Sequence, residues 1–168
     1  MIANTLGPWL YANDTGKRLA DIPLNAMLAG GGVVLPVLDV DTPPAHHPNE
    51  YTYRNWDATT AGDLSVYDVY SNTTDYHTMK RDQLDKFANF DGKMKWNRAL
   101  PTDMFLLSWT LTDCCFPKAL APGPDSKLGP VMATVNPNSY GLIPNVLYVD
   151  VVEWADPADV AIAANARF

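Results

Sequence analysis

Acid–base chemistry near neutral pH needs histidines or carboxylates held in defined surroundings. The chain offers one carboxylate in an unusual setting. Asp150 interrupts Pro144-Asn145-Val146-Leu147-Tyr148-Val149-Asp150-Val151-Val152-Glu153-Trp154, otherwise a run of β-forming residues. A strand apolar on both faces belongs in a buried parallel sheet. An unpaired carboxylate there costs on the order of several kcal/mol. Asp150 is therefore expected to emerge at the carboxyl end of its strand or to have a fixed partner. In α/β folds that end is where sites are built. A second constellation lies in Leu64 to Tyr70, where i, i+2 spacing puts Leu64, Val66, Asp68 and Tyr70 on one face of a strand. Asp68 and Tyr70 read equally well as a strand-end pair facing water.

The other chemistry-bearing residues carry weaker patterns. His46 and His47 fall in a proline-rich loop after a strand. Neighbours in an extended chain point opposite ways, and loop histidines beside prolines are usually solvated. His77 stands at a helix start and reads as surface. His46, His47, Glu50 and His77 lack a recognisable metal-site spacing, so no metal is expected. Cys114 and Cys115 are adjacent, which strains a mutual disulfide and does not fit a zinc site; they read as a half-buried pair. Tyr51, Tyr53 and Trp56 read as an aromatic plug on their own loop rather than a rim touching lipid or sugar. No nucleophile elbow or phosphate-cradling glycine loop is present: Gly30-Gly31-Gly32 precedes a strand, the wrong order for that role. No cofactor is expected.

The elements that must position these residues alternate. Strands are expected over Val33 to Val40, Leu64 to Tyr70, Met104 to Thr112 and Val146 to Val152. Between them lie a long loop from Asp41 to Gly62, a helix from Tyr76 to Phe90 capped by Thr74 or Asp75, and a second long loop from Cys114 to Pro130. A short helix is expected within Val131 to Tyr140. The last helix is expected over Ala158 to Arg167, with Asp156 as N-cap and Pro157 at N1. A strand–loop–helix rhythm repeated about four times predicts an α/β fold with a mostly parallel sheet.

Composition narrows the function classes. The 168 residues are 47% hydrophobic, enough for one domain with a real core, and the 18% charged residues are too few for a disordered chain. The net charge is −7, which argues against nucleic acid as a partner and against purely electrostatic docking on anionic lipid. No apolar run reaches the roughly 18 residues of a membrane span. Residues 1–9 show no signal-peptide pattern. Two N-x-T triplets, at Asn13 and Asn72, permit glycosylation if the protein is secreted.

Several blocks in order resemble one family. Val66-Tyr67-Asp68-Val69-Tyr70, then a helix, then Phe105-Leu106-Leu107-Ser108-Trp109-Thr110-Leu111-Thr112 are similar to the later part of a phosphatidylinositol-specific phospholipase C-like phosphodiesterase. Ala133-Thr134-Val135-Asn136-Pro137 and Pro144-Asn145-Val146-Leu147-Tyr148-Val149-Asp150 extend the likeness, which runs from about Leu28 to the C-terminus. The resemblance implies a TIM-type barrel and phosphodiester cleavage by two histidines, one the general base and one the general acid, with an arginine on the phosphate. It matches Asp150 to the last-strand carboxylate that pairs with the base histidine, fixing its tautomer and stabilising its cation. It matches Asp68 and Tyr70 to positions that hold the inositol ring by hydrogen bonding and stacking. It implies an inositol phospholipid or related phosphodiester as substrate, peripheral membrane contact and an extracellular location.

The departures are equally specific. A TIM-type barrel has eight strands and typically about 250 residues. The family's early histidine pair and arginine have no counterpart here, and Leu38 stands where bacterial relatives carry a substrate-binding arginine. The expectation is therefore one partial domain over 1–168, the carboxyl-terminal half of the barrel. About four parallel strands with covering helices would leave open edges. Such a half would pair with a separate amino-terminal half or self-associate. The alternative is a non-catalytic module descended from the barrel that binds a polyol or lipid headgroup.

Overall fold

The computed structural model describes residues 5–32, 34–39, 51–55, 63–90, 104–112, 117–135 and 143–167. The readings made for His46, His47, Glu50, Trp56, Cys114 and Cys115 lie outside these residues. Among them the architecture is α/β with parallel strands. The strands are β1 (Val37–Asp39), β2 (Tyr51–Asn55), β3 (Leu64–Tyr67), β4 (Met104–Trp109) and β5 (Val146–Val149). The helices are α1 (Leu24–Ala29), α2 (Tyr76–Ala88), α3 (Pro117–Leu120), α4 (Pro122–Asp125), α5 (Leu128–Thr134), α6 (Val152–Ala155) and α7 (Pro157–Asn165). The chain divides into two compact units, Met1–Val66 with Lys95–Met104 and Tyr67–Met94 with Phe105–Phe168.

The first unit carries β1, β2 and most of β3, paired in parallel with Val37 opposite Tyr51 and Tyr53 opposite Leu64. β2 corrects the sequence reading, which placed Tyr51 to Asn55 in a loop. Tyr51 is buried; its hydroxyl donates to the Tyr11 carbonyl at 3.0 Å and accepts the Asn13 N–H at 2.9 Å. Thr52 and Asp63 bond reciprocally: the Thr52 N–H and hydroxyl donate to Asp63 Oδ2, and the Asp63 N–H donates back to Thr52 Oγ1. These bonds set the entry to β3. Gly32 is needed because a Cβ there would lie 2.4 Å from the Tyr11 Cα. The neighbouring segment pairs with Val34 through the Tyr11 N–H at 2.9 Å.

The second unit holds β4 and β5, parallel, with Leu106 opposite Val146 and Trp109 opposite Val149. Asn145 starts that pairing: its side-chain oxygen accepts the Phe105 N–H at 2.8 Å. The core gathers Met79, Phe87, Phe105, Leu107, Trp109 and Leu128, all essentially inaccessible. Phe105 packs against Tyr67, Phe87 and Phe90 with ring centroids 5.2 to 5.6 Å apart. α2 begins as expected at Asp75, whose carboxylate accepts the Thr78 N–H at 2.8 Å. The loop expected over Cys114 to Pro130 is instead largely helical, as α3, α4 and the start of α5. At α4, Pro122 occupies the first turn, where its missing N–H costs nothing. Asp156 does precede α7, but with φ at +43° and no side-chain cap bond. Arg167 closes α5, its guanidinium donating to the carbonyls of Met132 and Ala133 at 2.9 and 3.1 Å. α5 packs against α7.

Two strand boundaries are shorter than the sequence suggests, and both matter for the site. β3 stops at Tyr67, so Asp68 and Tyr70 lie just beyond its carboxyl end. β5 stops at Val149, so Asp150 is the first residue past the strand. Nor is β5 buried on both faces as its composition suggested: Val146 is 37% and Tyr148 55% exposed.

Candidate functional site

Three segments of the second unit end together. Residues at and just beyond the carboxyl ends of β3, β4 and β5 line one cleft of about 390 Å³, formed by Asp68, Tyr70, Ser108, Thr110, Tyr148 and Asp150 with the chain at Leu111 and Thr112. All three residues singled out from the sequence, Asp68, Tyr70 and Asp150, are in that lining.

Each arm of the cleft is fixed by hydrogen bonds. The arm after β3 is held from α2. Gln83 is fully buried; its amide nitrogen donates to the Val69 carbonyl at 2.9 Å and to Ser71 Oγ at 3.0 Å, and its amide oxygen accepts the Ser108 N–H at 3.0 Å. One side chain thus replaces ladder bonds between the segment after β3 and β4. Lys86 adds a bond to the Val69 carbonyl at 3.1 Å and pairs with Asp82 at 2.6 Å. Asp82 also accepts the Ser71 hydroxyl at 2.6 Å. Burial raises the Asp82 pKa, but the bonds from Lys86 and Ser71 outweigh it and hold the carboxyl below its usual range. Further along, the Thr112 N–H donates to the Thr73 carbonyl at 2.9 Å.

The arm after β5 is held by two carboxylates. The Leu111 N–H donates to Asp150 Oδ2 at 3.0 Å. The Val151 N–H donates to Asp125 Oδ2 at 3.1 Å. Asp150 is therefore both at a strand end and partnered, through a backbone amide of the β4 arm. Burial pushes its carboxyl above the usual range, and the Leu111 N–H partly offsets that. Asp125 is only 1% exposed, and its Oδ1 has no hydrogen-bond partner. Burial pushes its carboxyl up to about 6; the Val151 N–H opposes this, and the Asp150 charge adds to it. The α4 turn beneath is pinned by the Trp109 indole N–H, which donates to the Pro124 carbonyl at 2.8 Å.

The lining suits hydroxyl-rich ligands. Carboxylates accept from ligand hydroxyls, the Ser108 and Thr110 hydroxyls, 3.1 Å apart, donate or accept, and two half-exposed tyrosines offer ring faces. Among the described residues the lining contains no histidine, lysine or arginine, and no group of three or more His, Cys, Asp or Glu side chains could hold a metal. His77 is exposed at the start of α2, beside Tyr76.

Sequence reasoning missed Asp125, Gln83 and Tyr148. Gln83 had a signal: it sits midway between Met79 and Phe87, at four-residue steps on the buried stripe of α2. Asp125 had none, because Pro122-Gly123-Pro124-Asp125-Ser126 reads as a solvated turn. No family model, curated protein or solved structure matches the chain.

Proposed function

We propose that this chain carries the polyol-binding side of a phospholipase C-like phosphodiesterase site, within the carboxyl-terminal half of a TIM-type barrel. Its substrate would be an inositol phospholipid or related phosphodiester, reached by peripheral membrane contact. One observation carries the reading. Asp68, Tyr70 and Asp150, selected by resemblance from separate stretches of sequence, line a single cleft at the carboxyl ends of parallel strands. In this reading Asp150 orients the general-base histidine, and Asp68 and Tyr70 hold the ring. The acid–base pair then comes from outside the described residues: from His46 and His47, from a second copy, or from a separate amino-terminal half.

A second reading, a non-catalytic module binding a polyol or lipid headgroup, is favoured by the chemistry of the lining. The carboxyl groups of Asp68 and Asp150, set beside the Ser108 and Thr110 hydroxyls, suit a ligand rich in hydroxyls.

Cleavage of a chromogenic inositol phosphodiester by the purified chain, beside Asp150→Asn, tests the first reading. The expected result is activity that falls about 10²–10⁴-fold in the variant, with His46→Ala and His47→Ala then identifying the acid and base. No cleavage, but saturable binding of a soluble inositol phosphate that Tyr70→Ala abolishes, supports the polyol-binding role common to both readings and rejects a self-sufficient acid–base pair in this chain. Neither cleavage nor binding rejects both.

A further inference from the structure

We propose that Asp125 is a positioning residue of the cleft, a sealed carboxyl that anchors the Val151 amide directly behind Asp150, so that the two acids at the end of β5 are coupled and ionise in turn. The placement argues for it. Asp125 and Asp150 hang from consecutive points of one chain: Asp150 grips the β4 arm through Leu111, and the next residue, Val151, is gripped by Asp125. The two carboxyls have the same chemistry and different surroundings. Asp150 is half-buried and borders the cleft. Asp125 is sealed, receives a single N–H, and leaves Oδ1 with no partner. A carboxylate that has lost its water needs several donors to remain charged, and one amide does not supply them. A nearby negative charge makes ionisation harder still. The more sealed acid, Asp125, holds its proton longer than Asp150, so in mildly acidic solution two identical groups are separated into a charged and a proton-holding member.

Among the described side chains, the ionisable groups around Asp125 do not offset this. Asp150 is the one whose field reaches it. Glu153 on α6 is exposed and also negative. Lys127, two residues on, lies over the Tyr76 ring, 4.2 Å from its centroid. As pH rises through the Asp125 titration, a second negative charge develops beneath the one that faces the cleft. Asp125 thereby makes this end of β5 sensitive to mildly acidic conditions.

The inference goes beyond the phosphodiesterase reading, since it concerns the ligand-free protein and survives if that reading fails. The test is a carboxyl ¹³C NMR titration of the full chain without ligand. In the parent, Asp125 is expected to titrate near 6, and the Asp150 carbon to show a second inflection at the same pH. In Asp125→Asn, which matches the neutral acid in shape, that inflection disappears. In Asp150→Asn, the Asp125 midpoint moves down toward the ordinary carboxylate range; this arm stands even if Asp125→Asn fails to fold. An Asp125 that titrates with the exposed aspartates, or a midpoint unmoved by Asp150→Asn, overturns the proposal.

Discussion

Burial sorts the two carboxyls at the end of β5, and it leaves a thermodynamic trace. The Asp125 pKa rises on folding from the usual 3.8 to about 6, so between those values the folded state binds the proton more tightly than the unfolded chain. The stability this contributes is fully present below pH 4 and is lost as pH rises through 6. About two pK units correspond to an effect on the order of 3 kcal/mol. Urea unfolding of the parent and of Asp125→Asn across pH 4 to 7 isolates it. The difference between the two should change in that window and be flat above it; a constant difference removes the buried acid from the account. Asp82 acts in the opposite sense: its lowered pKa gives stability above the unfolded value that is lost on acidification. Asp150 invites a sharper comparison. Asp150→Ala leaves the Leu111 N–H without its acceptor and should cost about 1–3 kcal/mol, whereas Asp150→Asn retains an acceptor and should cost less. Equal losses in denaturant midpoint would mean that the amide finds water. At this scale the sequence was informative where composition clashed with chemistry. Asp150 stood out because an apolar strand cannot hide a carboxylate. Asp125 did not, because nothing in Pro-Gly-Pro-Asp-Ser indicates that three short helices will seal it.

Among the elements, α2 does most to shape the cleft, and it does so with an amide. Gln83 joins Val69 to Ser108 where the segment after β3 leaves regular strand geometry. Gln83→Leu would fill the same volume while stranding the buried Ser108 N–H; the Val69 carbonyl keeps its bond from Lys86. The expected loss is about 1–3 kcal/mol, with faster hydrogen exchange at the Ser108 amide; unchanged exchange there would show that the strands do not need the bridge. Gly32 offers a contrast set by sterics. Gly32→Ala drives a methyl into the Tyr11 backbone at 2.4 Å and should cost more than about 2 kcal/mol, while Gly123→Ala meets nothing within 4 Å and should be neutral or mildly stabilising. Melting temperatures of the two variants decide it. The alternation of strands with helices was legible, as was the start of α2 at Asp75. β2 was not, because Tyr51-Thr52-Tyr53 is brief and follows a stretch dominated by proline and histidine. The short helix expected from Val131 is the end of α5, but α3, α4 and the start of α5 were hidden. Their prolines were read as breakers, but in α4 proline occupies the helix start. β5 was read as buried on both sides from its composition, yet alternate residues remain exposed. A strand's composition permits burial; the elements available to cover it decide whether burial occurs.

For the molecule as a whole, parallel pairing and the α/β class follow from the order of the elements, whereas closure of a barrel depends on what meets the strand edges and has no local signature. Charge is a whole-molecule property that composition does determine, and it constrains how a lipid substrate could be reached. Nineteen acidic residues against twelve lysines and arginines give a net charge of −7. An anionic leaflet repels such a net charge within about a Debye length of its surface. Lowering ionic strength from about 0.15 M to 0.01 M lengthens the Debye screening distance from about 8 to about 30 Å, which extends that repulsion. Co-sedimentation with phosphatidylserine vesicles should therefore be weakest at low salt, whereas binding to neutral phosphatidylcholine vesicles should hardly respond. Any membrane contact then rests on apolar or headgroup-specific recognition, with Tyr70 and Tyr148 at the cleft as the exposed aromatic residues to substitute first. Stronger binding to the anionic vesicles as salt falls would reverse the argument. It would require a local basic surface strong enough to overcome the net charge, and the phosphate-binding cations absent from the described lining would then be sought on it.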